Sequence, residues 1–149
     1  SNIGIGVEGM NNEIGDNDAE YCINGFGAYG SHNHWEENEA ESNGVTGFYI
    51  ESSMSTFKDN ESEENGSDGY WILGNGNLIK DNEAEENGAN GFRISSNASG
   101  NEFEGNEAED NGAYGFQSHN PGDPGANTFD DNDCDDNGAG DSLPSGLCD

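Results

Sequence analysis

Pairs of acidic side chains recur along the chain, each pair flanking one small residue, as in Glu83-Ala84-Glu85. Carboxylates bind hard cations such as Ca²⁺, and they can act as general acids or bases. Matching positions in two central units supply the candidate metal ligands, which are Asp59, Glu61, Asp81 and Glu83. These side chains can share an ion only if the fold stacks one unit on the next.

A second set of side chains follows a recurring glycine-aromatic pair, as in Gly91-Phe92-Arg93-Ile94. The residue after the aromatic position differs from unit to unit. These residues and one nearby histidine form the candidate ligand-binding set, which is Tyr49, Trp71, Arg93, Gln117 and His119. Aromatic rings bordered by polar groups suit stacking on sugars, and exposed apolar surface also marks protein contacts. A glycan and another protein subunit are therefore both candidate partners.

Both sets depend on a repeat with a period of 21 to 26 residues. Its anchors are Asn17, Asn38, Asn60, Asn82, Asn106 and Asn132. A large apolar residue stands three positions before each anchor, and a small residue flanked by acids stands two positions after it. This alternation predicts a short strand with the small residue inward. The Asn-Gly pair that follows predicts a sharp turn with positive φ. The first unit fits the repeat only with a two-residue insertion before Asn24-Gly25.

Units of this length cannot bury a core singly, but stacked units bury a continuous one. The pattern therefore predicts an all-β parallel β-helix, a solenoid of about six coils, over residues 1–137, with a C-terminal capping tail at 138–149. Like residues of successive coils then stack about 4.8 Å apart. The anchoring asparagines are expected to form an inward amide ladder, because an amide both donates and accepts.

The unit from Asn77-Leu78-Ile79 through Asn82-Glu83-Ala84 and Asn87-Gly88 to Gly91-Phe92-Arg93-Ile94 resembles the right-handed parallel β-helix repeat of pectate-lyase-like and NosD-like proteins. The resemblance covers nearly the whole chain and implies a right-handed coil. Proteins with this repeat include polysaccharide lyases, mannuronan epimerases, viral tailspikes and haloarchaeal surface proteins. Because one fold carries many functions, the repeat indicates architecture rather than activity.

The resemblance implies Ca²⁺-binding acids with a Lys or Arg base for a lyase, and a Tyr-Gly-x-Asp-Pro-His motif for an epimerase. The nearest segment runs from Tyr114-Gly115 to Ser118-His119 and lacks the Asp-Pro before the histidine. We therefore predict no catalytic residues and a non-catalytic structural or adhesive module of a filament, spike or surface protein. The alternative is a lyase-like or epimerase-like domain that acts on acidic polysaccharide.

The charge of the chain limits its partners and its surroundings. Thirty-two acidic residues stand against three basic ones, for a net charge of −29. Such a field repels nucleic acid and anionic membranes, and no apolar run approaches the roughly 18 residues that cross a bilayer. Stacked acids need molar salt or bound Ca²⁺ to offset their repulsion. We expect a halophilic archaeal or viral source, an extracellular location or one on a cell or virion surface, and no required cofactor, with Ca²⁺ or monovalent cations as candidate bound ions.

The two ends of the chain carry different signals. Cys134 lies in the small inward column and Cys148 in the tail, so a disulfide between them would pin the tail over the last coil in an oxidising compartment. At the other end, Ile3, Ile5 and Val7 begin within a coil and are ready to pair with a strand of another chain or domain. An oligomer or a longer rod is therefore expected, with residues 1–10 contacting another chain or domain.

Overall fold

The computed structural model describes residues 2–149 as three parallel sheets wound from one continuous coil. Sheet A contains β1 (Ile3–Val7), β4 (Asn24–Ala28), β7 (Thr46–Ile50), β10 (Tyr70–Ile72), β13 (Phe92–Ile94), β16 (Tyr114–Ser118) and β19 (Gly140–Leu143). Sheet B contains β2 (Glu13–Gly15), β5 (His34–Glu36), β8 (Thr56–Lys58), β11 (Leu78–Lys80), β14 (Glu102–Glu104) and β17 (Thr128–Asp130). Sheet C contains β3 (Asp18–Glu20), β6 (Glu39–Glu41), β9 (Glu61–Glu63), β12 (Glu83–Glu85), β15 (Glu107–Glu109) and β18 (Asp133–Asp135).

Each complete coil contributes one strand to each sheet, and every strand pairs in parallel with the matching strand of each adjacent coil. The predicted all-β parallel solenoid of about six coils is therefore confirmed. Residues 2–149 contain no helix, and thus no helix that is long and apolar enough to cross a bilayer.

The core follows the alternation that the sequence predicts. Sheet B contributes buried large side chains, as at Trp35 and Phe57, and sheet C contributes small ones, as at Ala40 and Ala84. Sheet A adds a column of stacked rings whose neighbouring centroids lie 4.5 to 4.8 Å apart: Phe26, Phe48, Tyr70, Phe92 and Phe116. Each ring is buried, so the column forms a continuous apolar wall behind the outer face of sheet A.

Buried asparagines form the predicted amide ladder at the corner between sheets B and C. The side chain of Asn82 accepts from Asn60 and donates to Asn106, and it also donates to the Phe57 carbonyl. A second ladder runs through the asparagines of the Asn-Gly pairs, which are Asn43, Asn65, Asn87, Asn111 and Asn137. In the first coil, Cys22 stands in register with Asn43, so the predicted insertion before Asn24 is wrong.

The Asn-Gly turns differ from the prediction in where the positive φ falls. It falls on the residue before the asparagine, as at Glu86 with φ 52° and Asp110 with φ 53°. The glycine is needed for close stacking instead, because a Cβ on Gly112 would lie 2.4 Å from the carbonyl oxygen of Gly88 in the preceding coil. The glycine of each Asn-Gly pair is therefore required by the close contact between coils, and not by a positive φ of its own.

The C-terminal residues extend the solenoid and then cover its end. Residues 140–143 form β19 in sheet A, so the predicted tail is strand in its first part. Leu147 is then buried against the core, and a disulfide joins Cys148 to Cys134. At the other end, β1 pairs with β4 and leaves Ile5 and Val7 only partly buried. The expected contact of residues 1–10 with another chain stays a prediction.

Candidate functional site

The outer face of sheet A carries a continuous row of half-buried side chains, which we call the aromatic face: Tyr29, Tyr49, Trp71, Arg93 and Gln117. Four of them lie in strict register, because Tyr49 pairs with Trp71, Trp71 with Arg93, and Arg93 with Gln117. They point outward because the residues on either side of each one pack into the core. The structure thus brings together four of the five side chains proposed from the sequence.

The rings of the aromatic face touch one another from coil to coil. The centroids of Tyr29 and Tyr49 lie 6.2 Å apart, and those of Tyr49 and Trp71 lie 5.3 Å apart in an edge-to-face arrangement. The Trp71 indole N–H donates to the Ser95 hydroxyl at 3.0 Å, which fixes the orientation of the indole. The guanidinium carbon of Arg93 lies 4.7 Å from the Trp71 ring centroid, within the range of a cation–π contact.

A buried polar cluster supports this row from below. The Asp68 side chain is 3% exposed, and its Oδ2 accepts from Nη1 of Arg93 at 3.5 Å. Its Oδ1 accepts from the Asn90 amide at 2.8 Å, and the same amide donates to Gln117 at 3.3 Å. Sequence analysis missed Asp68 and Asn90, although an acid in a column whose uncharged polar members include Asn24, Thr46 and Asn90 was a usable signal.

His119 lies apart from the row. It follows β16 and is exposed, and its backbone N–H donates to the Ile94 carbonyl at 2.9 Å. The adjoining loop is held by Asp123, whose carboxylate accepts from the Ser118 hydroxyl and from the Asn127 amide. Asp123 thus holds the loop and also bonds Asn127, the last member of a third amide ladder that runs from Asn77 through Asn101.

The outer side of sheet C is an acidic face made of two columns in register. One column holds Asp18, Glu39, Glu61, Glu83, Glu107 and Asp133. The other holds Glu20, Glu41, Glu63, Glu85, Glu109 and Asp135. The basic residues Lys58 and Lys80 lie on sheet B, where they pair with Glu36 and Glu104, so that residues 2–149 place no lysine or arginine on the acidic face.

The four candidate metal ligands are only partly brought together. Glu61 and Glu83 are neighbours on the acidic face, whereas Asp59 and Asp81 occupy left-handed corner positions, and Asp59 pairs with Lys58. Over residues 2–149, no group of three or more His, Cys, Asp or Glu side chains is arranged to hold a metal ion. Binding of Ca²⁺ at these residues stays a prediction.

Burial and neighbouring charges raise the pKa of five carboxyls of the acidic face, which are those of Glu20, Glu39, Glu63, Glu83 and Glu109. Partial burial is the largest cause at Glu39, Glu63 and Glu83, followed at each by adjacent glutamates. Glu36 is the opposite case, because a hydrogen bond from Lys58 lowers its pKa. Ionising these carboxyls with a raised pKa therefore costs more free energy in the folded chain than in the unfolded chain.

The pH dependence of stability follows from these directions. Carboxyls with a raised pKa bind more protons in the folded state, so stability is lost as pH rises above the ordinary value of 4.5 and through the raised values. At an intermediate salt concentration, which keeps the fold at pH 7 but leaves part of the repulsion unscreened, we expect the melting temperature to be higher at pH 5 than at pH 7, by about 5 °C. Circular dichroism melts at both pH values test this. A melting temperature that falls on going from pH 7 to pH 5 would contradict it.

Comparison with known proteins shows the family to which this fold belongs. The family model described as a right handed beta helix region matches residues 3–146. A crystal structure of the periplasmic alginate epimerase AlgG matches with a TM-score of 0.72 at 18% identity, and its T265N mutant with 0.75 at 19%. Both matches cover 94% of this chain but only 39% and 38% of the epimerase chains, and at this identity they show the fold alone. No curated protein sequence matches. The chain belongs to the right-handed β-helix family.

Proposed function

We propose that this chain is a polysaccharide-binding β-helix, and that a sugar chain lies along the aromatic face. The observation that carries the proposal is the contiguous row from Tyr29 through Tyr49 and Trp71 to Arg93, with one side chain per coil. Coils repeat about every 4.8 Å, close to the length of one sugar unit in an extended polysaccharide. Each coil can therefore offer an apolar surface or a hydrogen-bonding group to successive sugars.

Charge and fold support this choice of face. Acidic columns dominate sheet C, whereas the aromatic face has ring and amide groups at its centre. The likeness in fold to a periplasmic alginate epimerase supports a role with carbohydrate, and a place outside the cytoplasm, more than it supports a purely structural or adhesive role. A surface location and a halophilic source, which the acidic charge favours, remain part of the proposal.

Alanine at Trp71 or Tyr49 tests the proposal. Loss of one stacking ring is expected to weaken polysaccharide binding about tenfold, the equivalent of about 1.4 kcal/mol, while circular dichroism stays unchanged. Tyr21→Ala is the matched control, because that ring is 79% exposed and lies outside the aromatic face. Isothermal titration with a panel of soluble polysaccharides gives the affinities. Polysaccharide binding by Trp71→Ala at the wild-type affinity would contradict the proposal. So would a variant that binds sugar normally but dissociates an oligomer, because the face would then be a protein interface.

A second candidate function is an epimerase or lyase that acts on acidic polysaccharide, and the likeness in fold favours it. Removal of the proton beside a uronate carboxylate needs a positioned base and a group that stabilises the developing negative charge. Arg93 is the cation available on the aromatic face for the second role. Incubation with polymannuronate and Ca²⁺ in heavy water tests this, with Arg93→Gln as the control. An enzyme incorporates deuterium or releases unsaturated ends, whereas a binding module does neither.

A further inference from the structure

We infer that the aromatic face takes a neutral polysaccharide and discriminates against polyuronates, and that the buried carboxylate of Asp68 sets this specificity by compensating the charge of Arg93. The inference rests on the proposed function and narrows its ligand to one chemical class. It differs from the second candidate function, which requires an acidic polymer.

Arg93 is held from two sides. On the buried side, the Asp68 carboxylate accepts a hydrogen bond from Nη1 of Arg93 at 3.5 Å. On the outer side, the ring centroid of Trp71 lies 4.7 Å from the guanidinium carbon. The Arg93 side chain is 36% exposed, so part of its donor fork still reaches solvent. This part can donate to sugar hydroxyls, as the Gln117 amide can, while the charge of the ion pair sums to zero.

The ladder bonds of Asp68 do not require its negative charge. Asp68 stands in a ladder column where Asn24 accepts from the Thr46 N–H and Asn90 accepts from the Tyr114 N–H. Asp68 does the same through Oδ1, which accepts from the backbone and side-chain amides of Asn90. An asparagine carbonyl would serve those bonds equally well. The second oxygen, Oδ2, is the one directed at Arg93, so the carboxylate is explained by that pairing.

The wider electrostatic field acts in the same direction. The chain carries a net charge of −29, and burial, followed by the nearby Glu51 carboxylate, raises the pKa of the Tyr49 phenol. With Arg93 neutralised by Asp68, no uncompensated positive charge offsets this field at the aromatic face. A polyuronate carboxylate therefore finds no free guanidinium to pair with at this face, and this short-range effect persists in the salt that the fold requires, whereas a neutral polymer needs no such partner.

The test compares two polymers and several variants by titration, in buffer where circular dichroism shows the native fold. We expect the wild type to bind a soluble neutral β-glucan at least tenfold more tightly than polymannuronate.

Asp68→Asn keeps the ladder bonds and frees Arg93, so polymannuronate affinity should rise at least fivefold while β-glucan affinity changes less than twofold. Glu51→Gln is the matched control, because it changes the net charge equally without freeing Arg93, and it should give less than half that gain. Adding Arg93→Gln to Asp68→Asn should abolish the gain.

Several outcomes would overturn the inference. Polymannuronate binding by the wild type that equals or exceeds β-glucan binding removes the claimed specificity, although it leaves the proposed function intact. An unchanged polymannuronate affinity in Asp68→Asn, or an equal gain in Glu51→Gln, removes the role of Asp68. Failure of the wild type to bind any polysaccharide overturns the proposed function itself, and the inference with it.

Discussion

Transfer from molar salt to millimolar salt with a chelator is expected to unfold the protein or to loosen it severely at neutral pH. The acidic face stacks like charges from coil to coil, and residues 2–149 place no lysine or arginine on that face. Salt at 1 M shortens the Debye length to about 3 Å, less than the coil spacing, so the repulsion is largely screened only there. We expect the free energy of unfolding to fall by about 5 kcal/mol, which equals the lower end of a domain's stability.

A matched pair of variants separates column repulsion from general charge effects. Glu83 has Glu61 and Glu107 as its register neighbours, whereas the register neighbours of Glu102 are Leu78 and Thr128. Glu83→Gln should therefore raise low-salt stability, and Glu102→Gln should change it much less. Adding Ca²⁺ at constant ionic strength shows whether a divalent ion can replace the salt. Equal stability of the wild type in molar salt and in millimolar salt with chelator would refute the account of the columns.

Asn82→Ala is expected to destabilise the fold by about 4 kcal/mol even in high salt. The substitution leaves the Asn60 backbone and side-chain amides without their acceptor and removes the side-chain donor to the Phe57 carbonyl, all at buried positions. Each buried group left unpaired costs about 1–3 kcal/mol. Chemical denaturation measures the loss, and Asn97→Ala is the control because Asn97 is exposed. A loss below 1 kcal/mol, or one equal to that of the control, would show that the ladder is not a main source of stability.

The repeat made much of this fold predictable from sequence. Ladder anchors such as Asn60 and inward residues such as Phe57 occupy fixed positions in each unit, and stacking then determines which side chains meet. The row from Tyr49 to Gln117 could be derived because register in a solenoid follows from the period. Local alternation and coil stacking thus account for both the core and the outline of the site.

Other parts of the site depend on contacts that the repeat does not encode. Asp68 and Arg93 belong to different coils, because Asp68 precedes β10 and Arg93 lies in β13. Their pairing depends on the path of the chain just before β10, which the repeat pattern does not specify. Tyr29 was missed because the first unit was aligned with an insertion that the structure does not contain. The left-handed residue before each Asn-Gly pair was also missed, because residues as different as Glu86 and Ser42 adopt it under the constraint of stacking.

The most direct test of polysaccharide binding at the aromatic face uses the two tryptophans of the chain as paired reporters. Trp35 is fully buried in the core, whereas Trp71 is half-buried in the aromatic face and donates its indole N–H to Ser95. Two-dimensional ¹⁵N–¹H spectra resolve their indole signals, and a Trp71→Phe variant assigns them. Titration with a soluble neutral β-glucan is predicted to move the Trp71 signal to saturation and to leave the Trp35 signal in place. A Trp71 signal that stays fixed at saturating β-glucan would contradict the central claim that this face binds polysaccharide.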